Sequence, residues 1–359
     1  MILEAIRRVV EGQPLPAAVM EGAMNSVLAG EATPAQIAGL AIALRMRGET
    51  VDEIAAAVRV MRRHADLAHL DVAGPILDTA GTGGDGLRTF NISTVAAIII
   101  ASCGVKVAKH GNRAVSSSCG SADVIEALGV PLDSSPAEVA ASVRELGIGF
   151  LFAPSHHRAL RHAAPVRRDL ALRTIFNLLG PLANPAGVTH QVLGVYDPAR
   201  IEQLAHVLKV LGLEGAWVVH GHGGLDEVSP AGPTHVAWLR DGEVETLVVE
   251  PLDFGVEPFP IESLVGGDAA RNAEIIESLL DGSLQGGPRA AVILNAAAGL
   301  CVTGLAKSPR EGAERAEAAI DRGDARRLLA AWRAWRPPVS GATTLGQSAS
   351  PAAEEPPAR

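Results

Sequence analysis

The stretch from Gly74 to Ser117 constrains this chain more than any other. A short apolar run, Ile76-Leu77-Asp78-Thr79, ends in the glycine-rich loop Gly81-Thr82-Gly83-Gly84-Asp85. From Ser93 to Cys103 the residues are almost all apolar or small, and Gly104 stops the run before Val105-Lys106-Val107-Ala108. A strand, a loop, a buried helix and a second strand together specify a parallel α/β unit. The expected fold class is α/β: a small all-helical domain plus a larger α/β domain with a mainly parallel central sheet flanked by helices. Further strands are expected at Gly149–Phe152, Gln191–Val195, Ala216–His220 and Glu245–Val249. Helical patterns fill Pro136–Leu146, Ala199–Leu211 and most of 270–336.

Ahead of that unit the sequence reads as helices. Thr33-Pro34 is an N-cap followed by proline at the first helical position, and Gly48 stands where a C-cap belongs. Thr50 with Glu53 three residues on fits a capping box. A chain of 359 residues is long enough for two domains. Residues 1–73 are therefore assigned to the helical domain, and 74–169 with 190–336 to the α/β domain. The region Pro165–Pro185 is basic, then apolar, then rich in Gly, Pro and Asn, and is expected to leave the sheet and cross back to the helices, the crossing segment running from about 170–189. The end, 337–359, is rich in Pro, Ala, Gly, Ser and Glu and reads as a disordered tail.

The net charge of -9, with the acids dispersed, argues against a nucleic-acid or anionic-membrane partner but allows a local basic pocket. The three cysteines, Cys103, Cys119 and Cys301, are widely spaced and fit free thiols in a reducing cytoplasm. No secretory pattern opens the sequence, and the longest apolar stretch, near Val95–Ser102, is too short to span a bilayer. A cytoplasmic protein is expected.

Three segments carry chemistry. In the first, Gly81–Thr94, glycines let backbone N–H groups approach a ligand, and the loop lies between an expected strand and helix. A helix start favours an anion, and Asn91, Ser93 and Thr94 add donors there. The alternative is a tight turn with Ser93 as N-cap. The spacing fits neither a dinucleotide loop nor a triphosphate loop. The second segment, Lys109–Ser117 followed by Gly120-Ser121-Ala122-Asp123, gathers cations, amides and hydroxyls suited to phosphate oxygens; otherwise it is a solvated loop with Ser121 capping the next helix. The third, His220–Ser229, sets Asp226 and Glu227 among glycines, which suits magnesium. A surface turn is the alternative. The His220-Gly221-His222 pair has no third ligand spaced for zinc. Arg167 and Arg168 follow an Ala-Pro break; Arg167 is either a carboxylate fork or a surface cation near Asp169. His156 and His157 are undecided on local grounds.

Taken together and in order, several segments resemble the anthranilate phosphoribosyltransferase family. They are Asp78–Asp85, Asn91-Ile92-Ser93-Thr94, Lys109–Ser117 with Gly120–Asp123, Arg173–Pro185 and Leu225-Asp226-Glu227. The match runs through most of residues 1–335. The resemblance implies transfer of the phosphoribosyl group of phosphoribosyl pyrophosphate to anthranilate, in tryptophan biosynthesis, and a homodimer built through the helical domains. It implies phosphoribosyl pyrophosphate at Gly81, Gly84, Asp85, Thr89, Asn91, Ile92, Ser93, Thr94, Lys109, His110, Gly111, Asn112, Arg113, Ala114, Val115, Ser116, Ser117 and Ser121. It implies anthranilate at Gly81, Asn112 and Arg167, and Mg2+, two ions per monomer, at Ser93, Asp226 and Glu227. No residue is assigned as acid, base or nucleophile. One departure is Arg158, where the family usually has proline after the histidine at His157; it bears on the shape of the anthranilate entrance.

Two rivals share the fold family. A pyrimidine nucleoside phosphorylase would hold inorganic phosphate at the glycine loop, and a non-catalytic relative would bind nucleic acid. The Asp226-Glu227 pair and the Lys109–Ser117 run favour the transferase, and the net charge of -9 opposes the nucleic-acid reading.

Overall fold

The computed structural model describes residues 1–114 and 118–337. Val115, Ser116 and Ser117 of the second loop lie outside the described residues, as does the expected tail beyond Pro337.

Four helices open the chain: α1 (Ile2–Val10), α2 (Ala17–Leu28), α3 (Pro34–Arg47) and α4 (Val51–Arg63). The starts of α3 and α4 are written in the sequence. Thr33 Oγ1 accepts the Gln36 N–H at 3.3 Å, with Pro34 at the first position. Thr50 Oγ1 accepts the Glu53 N–H at 3.2 Å while Glu53 Oε2 accepts the Thr50 N–H at 2.8 Å, closing the expected capping box. Glu53 is fully buried, and it is satisfied there: it also accepts the Leu15 N–H at 2.7 Å and pairs with Arg47.

The rest of the chain follows as β1 (Ile76–Gly81), α5 (Ile92–Ser102), β2 (Lys106–Gly111), α6 (Ser121–Ala127), α7 (Pro136–Leu146), β3 (Ile148–Phe152), α8 (Ala153–His156), α9 (Ala164–Leu170), α10 (Ile175–Leu182), β4 (His190–Gly194), α11 (Ile201–Val210), β5 (Gly215–Gly221), β6 (Thr234–Arg240), β7 (Glu243–Val249), α12 (Ala269–Leu280), α13 (Gly287–Val302), α14 (Pro309–Asp321) and α15 (Asp324–Ala334). The strands form one sheet in the order β3-β2-β1-β4-β5-β6-β7. Pairs from β3 through β5 are parallel; β5–β6 and β6–β7 are antiparallel. The sheet is mainly parallel, as expected. Strand β6 was not expected. It turns into β7 at Asp241-Gly242, both at positive φ (54° and 76°), the conformation a tight hairpin needs.

Each face of the sheet is covered. On one side α5, α12, α13, α14 and α15 pack, with Ile98, Ile99, Leu294 and Leu300 fully buried. On the other, Leu193, Val218 and Ala237 of the strands share one apolar cluster with α11, with Phe176 and Leu179 of α10, and with Met20, Met24, Leu44 and Ile54 of the opening helices. Among the described residues no helix is long and apolar enough to cross a membrane.

The chain runs from β1 outward through β2 to β3, then returns to add β4 on the other side of β1. That reversal between β1 and β4 is a topological switch point, and the crevice at its carboxyl ends is where such sheets bind ligands.

Candidate active site

Four neighbouring strands, β2, β1, β4 and β5, end in glycine: Gly111, Gly81, Gly194 and Gly221. The segment after β5 explains three of them. The Gly221 N–H donates to the Leu225 carbonyl at 2.8 Å, which turns the chain back over the strand ends. A Cβ on Gly194 would stand 1.6 Å from the Asp226 carbonyl oxygen, one on Gly221 2.4 Å from that of Glu227, and one on Gly81 2.7 Å from Asp226 Oδ2. Only a rim without side chains lets residues 226 and 227 lie across it.

The carboxylates are received by the loop after β1 and by the start of α5. Gly83 donates its N–H to Asp226 Oδ2 at 2.7 Å, and Ser93 donates its N–H to Glu227 Oε1 at 3.2 Å. Burial, then the neighbouring charge of Asp85, raises the Asp226 carboxyl to about 6. Burial, then Asp226, raises Glu227 to about 8, against the pull of Lys109. Lys109 itself is 2% exposed. Its Nζ donates to the Thr79 carbonyl, to Thr79 Oγ1 at 3.2 Å and to Ser93 Oγ at 3.3 Å. Burial lowers its affinity for a proton, while Asp78 and Glu227 oppose that.

Buried, mutually repelling carboxylates are stabilised by either a proton or a cation. Among the described residues no group of three or more His, Cys, Asp or Glu forms a metal cage. Two carboxylates and a hydroxyl suit a hard cation that takes its other oxygens from phosphates and water. His220 Nδ1 is bound to the Val195 carbonyl at 2.8 Å, and among the described residues neither His220 nor His222 belongs to a group of three or more metal-binding side chains.

The remaining residues named from the sequence sit around this rim. Asn91, rather than Ser93, is the N-cap of α5. Its amide donates to the Cys119 carbonyl at 3.3 Å and accepts from Asn272 at 2.9 Å. Ile92 and Thr94 are buried, and Thr94 Oγ1 has no hydrogen-bond partner among the described residues. Thr89 bridges to Val265, and Gly84 has φ +78°. After β2, the Asn112 carbonyl accepts the Ala122 N–H at 3.1 Å. Arg113 is held by Asp123 at 2.9 Å and Glu126 at 2.8 Å, and Asp123 also accepts the N–H groups of Ala114 and Gly120, both at 2.9 Å. So Asp123, not Ser121, ties the start of α6; Ser121 Oγ lies against Gly111, 2.2 Å from where its Cβ would be.

The structure separates the two histidines. His156 Nδ1 is bound to the Asp66 carbonyl at 2.6 Å. His157 faces His110, ring centroids 5.1 Å apart at 61°, and both Nε2 atoms are buried without a partner among the described residues. Burial and the adjacent histidines lower both; His157 falls to about 4. Arg158 points outward to Asp66 at 3.4 Å and the Ser155 carbonyl at 3.2 Å. Arg167, on α9, is half-buried, and its guanidinium has no hydrogen-bond or ion-pair partner among the described residues. Neither His157 nor the seat of Arg167 had a local signal strong enough to settle it.

Residues 73–326 match the glycosyl transferase family, a/b domain, and residues 3–65 match the glycosyl transferase family, helical bundle domain. The anthranilate phosphoribosyltransferase of Myxococcus xanthus is 55% identical over 91% of this chain and 97% of its own length. This chain belongs to the anthranilate phosphoribosyltransferase family. The Anaeromyxobacter sp. member is 53% identical over 92% of this chain and 97% of that protein. Among solved structures, the Thermus thermophilus anthranilate phosphoribosyltransferase superposes with a TM-score of 0.87 at 43% identity, over 92% of this chain and 98% of that one. The Saccharomyces cerevisiae enzyme, solved in complex with PRPP and Mg, superposes at 0.85 with 29% identity, over 93% and 97%. Anthranilate phosphoribosyltransferases are glycosyltransferases, so the chain is an enzyme of that class.

Proposed function

We propose that this chain transfers the phosphoribosyl group of 5-phosphoribosyl 1-pyrophosphate to the amine of anthranilate, giving N-(5-phosphoribosyl)anthranilate and pyrophosphate in tryptophan biosynthesis. The observation that carries the reading is the Asp226-Glu227 pair laid over the glycine ends of β1, β4 and β5, beside Ser93 and the buried Lys109. Ser93, Asp226 and Glu227 would hold magnesium, two ions per monomer. Magnesium, when bound, neutralises charge on the leaving diphosphate.

The chain's own groups do the rest. As the C1–O bond breaks, negative charge grows on the departing oxygen. The buried Lys109 and the positive end of the α5 helix, where Ser93 sits, are fixed in place to favour that charge. The amine forms the C1–N bond and releases its proton, so no protein nucleophile is required. Arg167 would hold the anthranilate carboxylate, which is supported by its half-buried guanidinium having no carboxylate partner among the described residues. Holding both reactants in line removes much of the entropic cost of meeting.

The helical domain is assigned to 1–73 with the crossing segment of about 170–189, and the α/β domain to 74–169 and 190–336. Packing of α10 on α3 and α4 supports the crossing. A cytoplasmic homodimer joined through the helical domains completes the reading. The test is fluorescence-monitored consumption of anthranilate by the purified chain. Loss of signal is expected only with both phosphoribosyl pyrophosphate and magnesium, and an unchanged signal in the complete mixture would sink the proposal.

A further inference from the structure

Arg173 lies between α9 and α10, in the segment that leaves the sheet. Its Nη2 donates to the Gly83 carbonyl at 3.0 Å. Gly83 is thereby held at both ends, because its N–H is the group that donates to Asp226 Oδ2 at 2.7 Å. The guanidinium stacks on Tyr196, the chain's single tyrosine, 3.8 Å above the ring centroid. Tyr196 is itself tied to the same loop, since its N–H donates to Thr82 Oγ1 at 3.3 Å and the Thr82 N–H donates to the Gly194 carbonyl at 2.9 Å. Gly84 completes the seat: a Cβ there would stand 1.0 Å from Arg173 Nη2, and its φ is +78°. Among the described residues Arg173 has no carboxylate partner, and its Nη1 is buried without a hydrogen bond.

An arginine that stacks on one ring and donates to one carbonyl, with no acid to neutralise it, is not a surface ion pair. We propose that Arg173 is a positioning residue for the diphosphate. It clamps the loop 82–84 from the face opposite Asp226, so that the Gly83 amide stays on the Asp226 carboxylate and the loop's backbone donors stay aimed at the anion. The planar fork and the stacked ring are both required, so lysine is not an equivalent. The clamp also ties the diphosphate loop to the segment carrying Arg167, six residues upstream in sequence.

This inference rests on the functional reading above, and its test reads binding directly. Arg173→Met keeps the stem and removes the fork; Arg173→Lys keeps the charge; Tyr196→Ala removes the platform. Calorimetry would measure phosphoribosyl pyrophosphate affinity in magnesium, thermal denaturation the fold, and steady-state kinetics both Michaelis constants. Loss of a charge-assisted hydrogen bond predicts Kd weaker by about tenfold or more in Arg173→Met. The lysine variant is expected to recover only part of this, and Tyr196→Ala to move in the same direction. The anthranilate KM is expected to stay within about twofold, since that tenfold-scale loss falls on the other substrate. An unchanged Kd would overturn the proposal, as would a larger rise in the anthranilate KM than in Kd. A loss of thermal stability with both substrate constants unchanged would also overturn it, leaving only a structural role. A wild-type chain that binds phosphoribosyl pyrophosphate but leaves anthranilate untouched would sink the functional reading while Arg173→Met still tests the clamp.

Discussion

Asp226 lies directly on Gly194: a Cβ on that glycine would stand 1.6 Å from the Asp226 carbonyl oxygen. The clash would be with backbone, which cannot rotate away. Gly194→Ala must therefore lift the 225–227 segment off the rim or bend β4. Overpacking of this kind costs about 1–3 kcal/mol, which urea denaturation would read. Lifting the segment also moves Asp226 away from the Gly83 amide. The magnesium concentration for half-maximal turnover is expected to rise well beyond what the stability loss explains. Wild-type magnesium dependence in this variant would show that the contact does not set the carboxylates.

The Asp226-Glu227 pair itself is tested by Asp226→Asn with Glu227→Gln. Both changes keep volume and remove buried charge that repels. Folding stability is expected to hold or increase, because neutral groups cost less to bury. Turnover at low magnesium is expected to collapse by about a hundredfold or more, the scale of losing one preorganised electrostatic element. Circular dichroism and a magnesium titration of initial rate would read the two effects separately.

Much of this was legible in the sequence, and the reasons are physical. The N-cap at Thr33 and the capping box at Thr50 are local, so residue spacing alone reveals them. Helix α7 agrees residue for residue with the expected Pro136–Leu146, bounded by Ser135-Pro136 and Gly147, which has φ +87°. The glycine loop after β1 was readable because apolar runs flank it. Strand β6 was not, because Thr234–Arg240 alternates only weakly and its edges are polar. The seat of Arg173 on Gly83 and Tyr196 was also hidden, since it joins residues 90 positions apart. Nor does sequence spacing say that residues 226 and 227 fold back over Gly81 and Gly194. That depends on strand order, which is a property of the whole sheet.

His157 gives the fold an acid sensitivity. It is 5% exposed and faces His156, Arg62, Asp66, the Ala183 carbonyl and the His110 ring. Burial lowers it from 6.5 to about 4. Between those values the unfolded chain binds a proton that the folded chain does not. Its contribution is thus fully present above pH 6.5 and is lost as pH falls toward 4. One such proton changes stability by about 1.4 kcal/mol per pH unit. In His157→Gln that part of the slope is expected to vanish, leaving the part from His110. Denaturant midpoints of both proteins at pH 7.5, 6.0 and 5.0 would show it, and parallel curves would refute the assignment.

Arg167 offers the sharpest division between the two substrates. Its guanidinium is half-buried, burial alone lowers its proton affinity, and no acid among the described residues pairs with it. A cation left partly desolvated without a partner carries a cost that a bound carboxylate would relieve. Arg167→Ala removes that cost together with the fork, so the folded chain is expected to lose little stability. The anthranilate KM is expected to rise by about tenfold to a hundredfold, as for loss of a charge-assisted pair. The phosphoribosyl pyrophosphate KM should move far less, because the glycine loop and Lys109 lie on other elements. Arg167→Lys should restore only part of the loss, since a point charge cannot match a planar carboxylate in two places. Initial rates over a grid of both substrates would separate the constants. A larger rise for the sugar substrate would place Arg167 at the diphosphate instead.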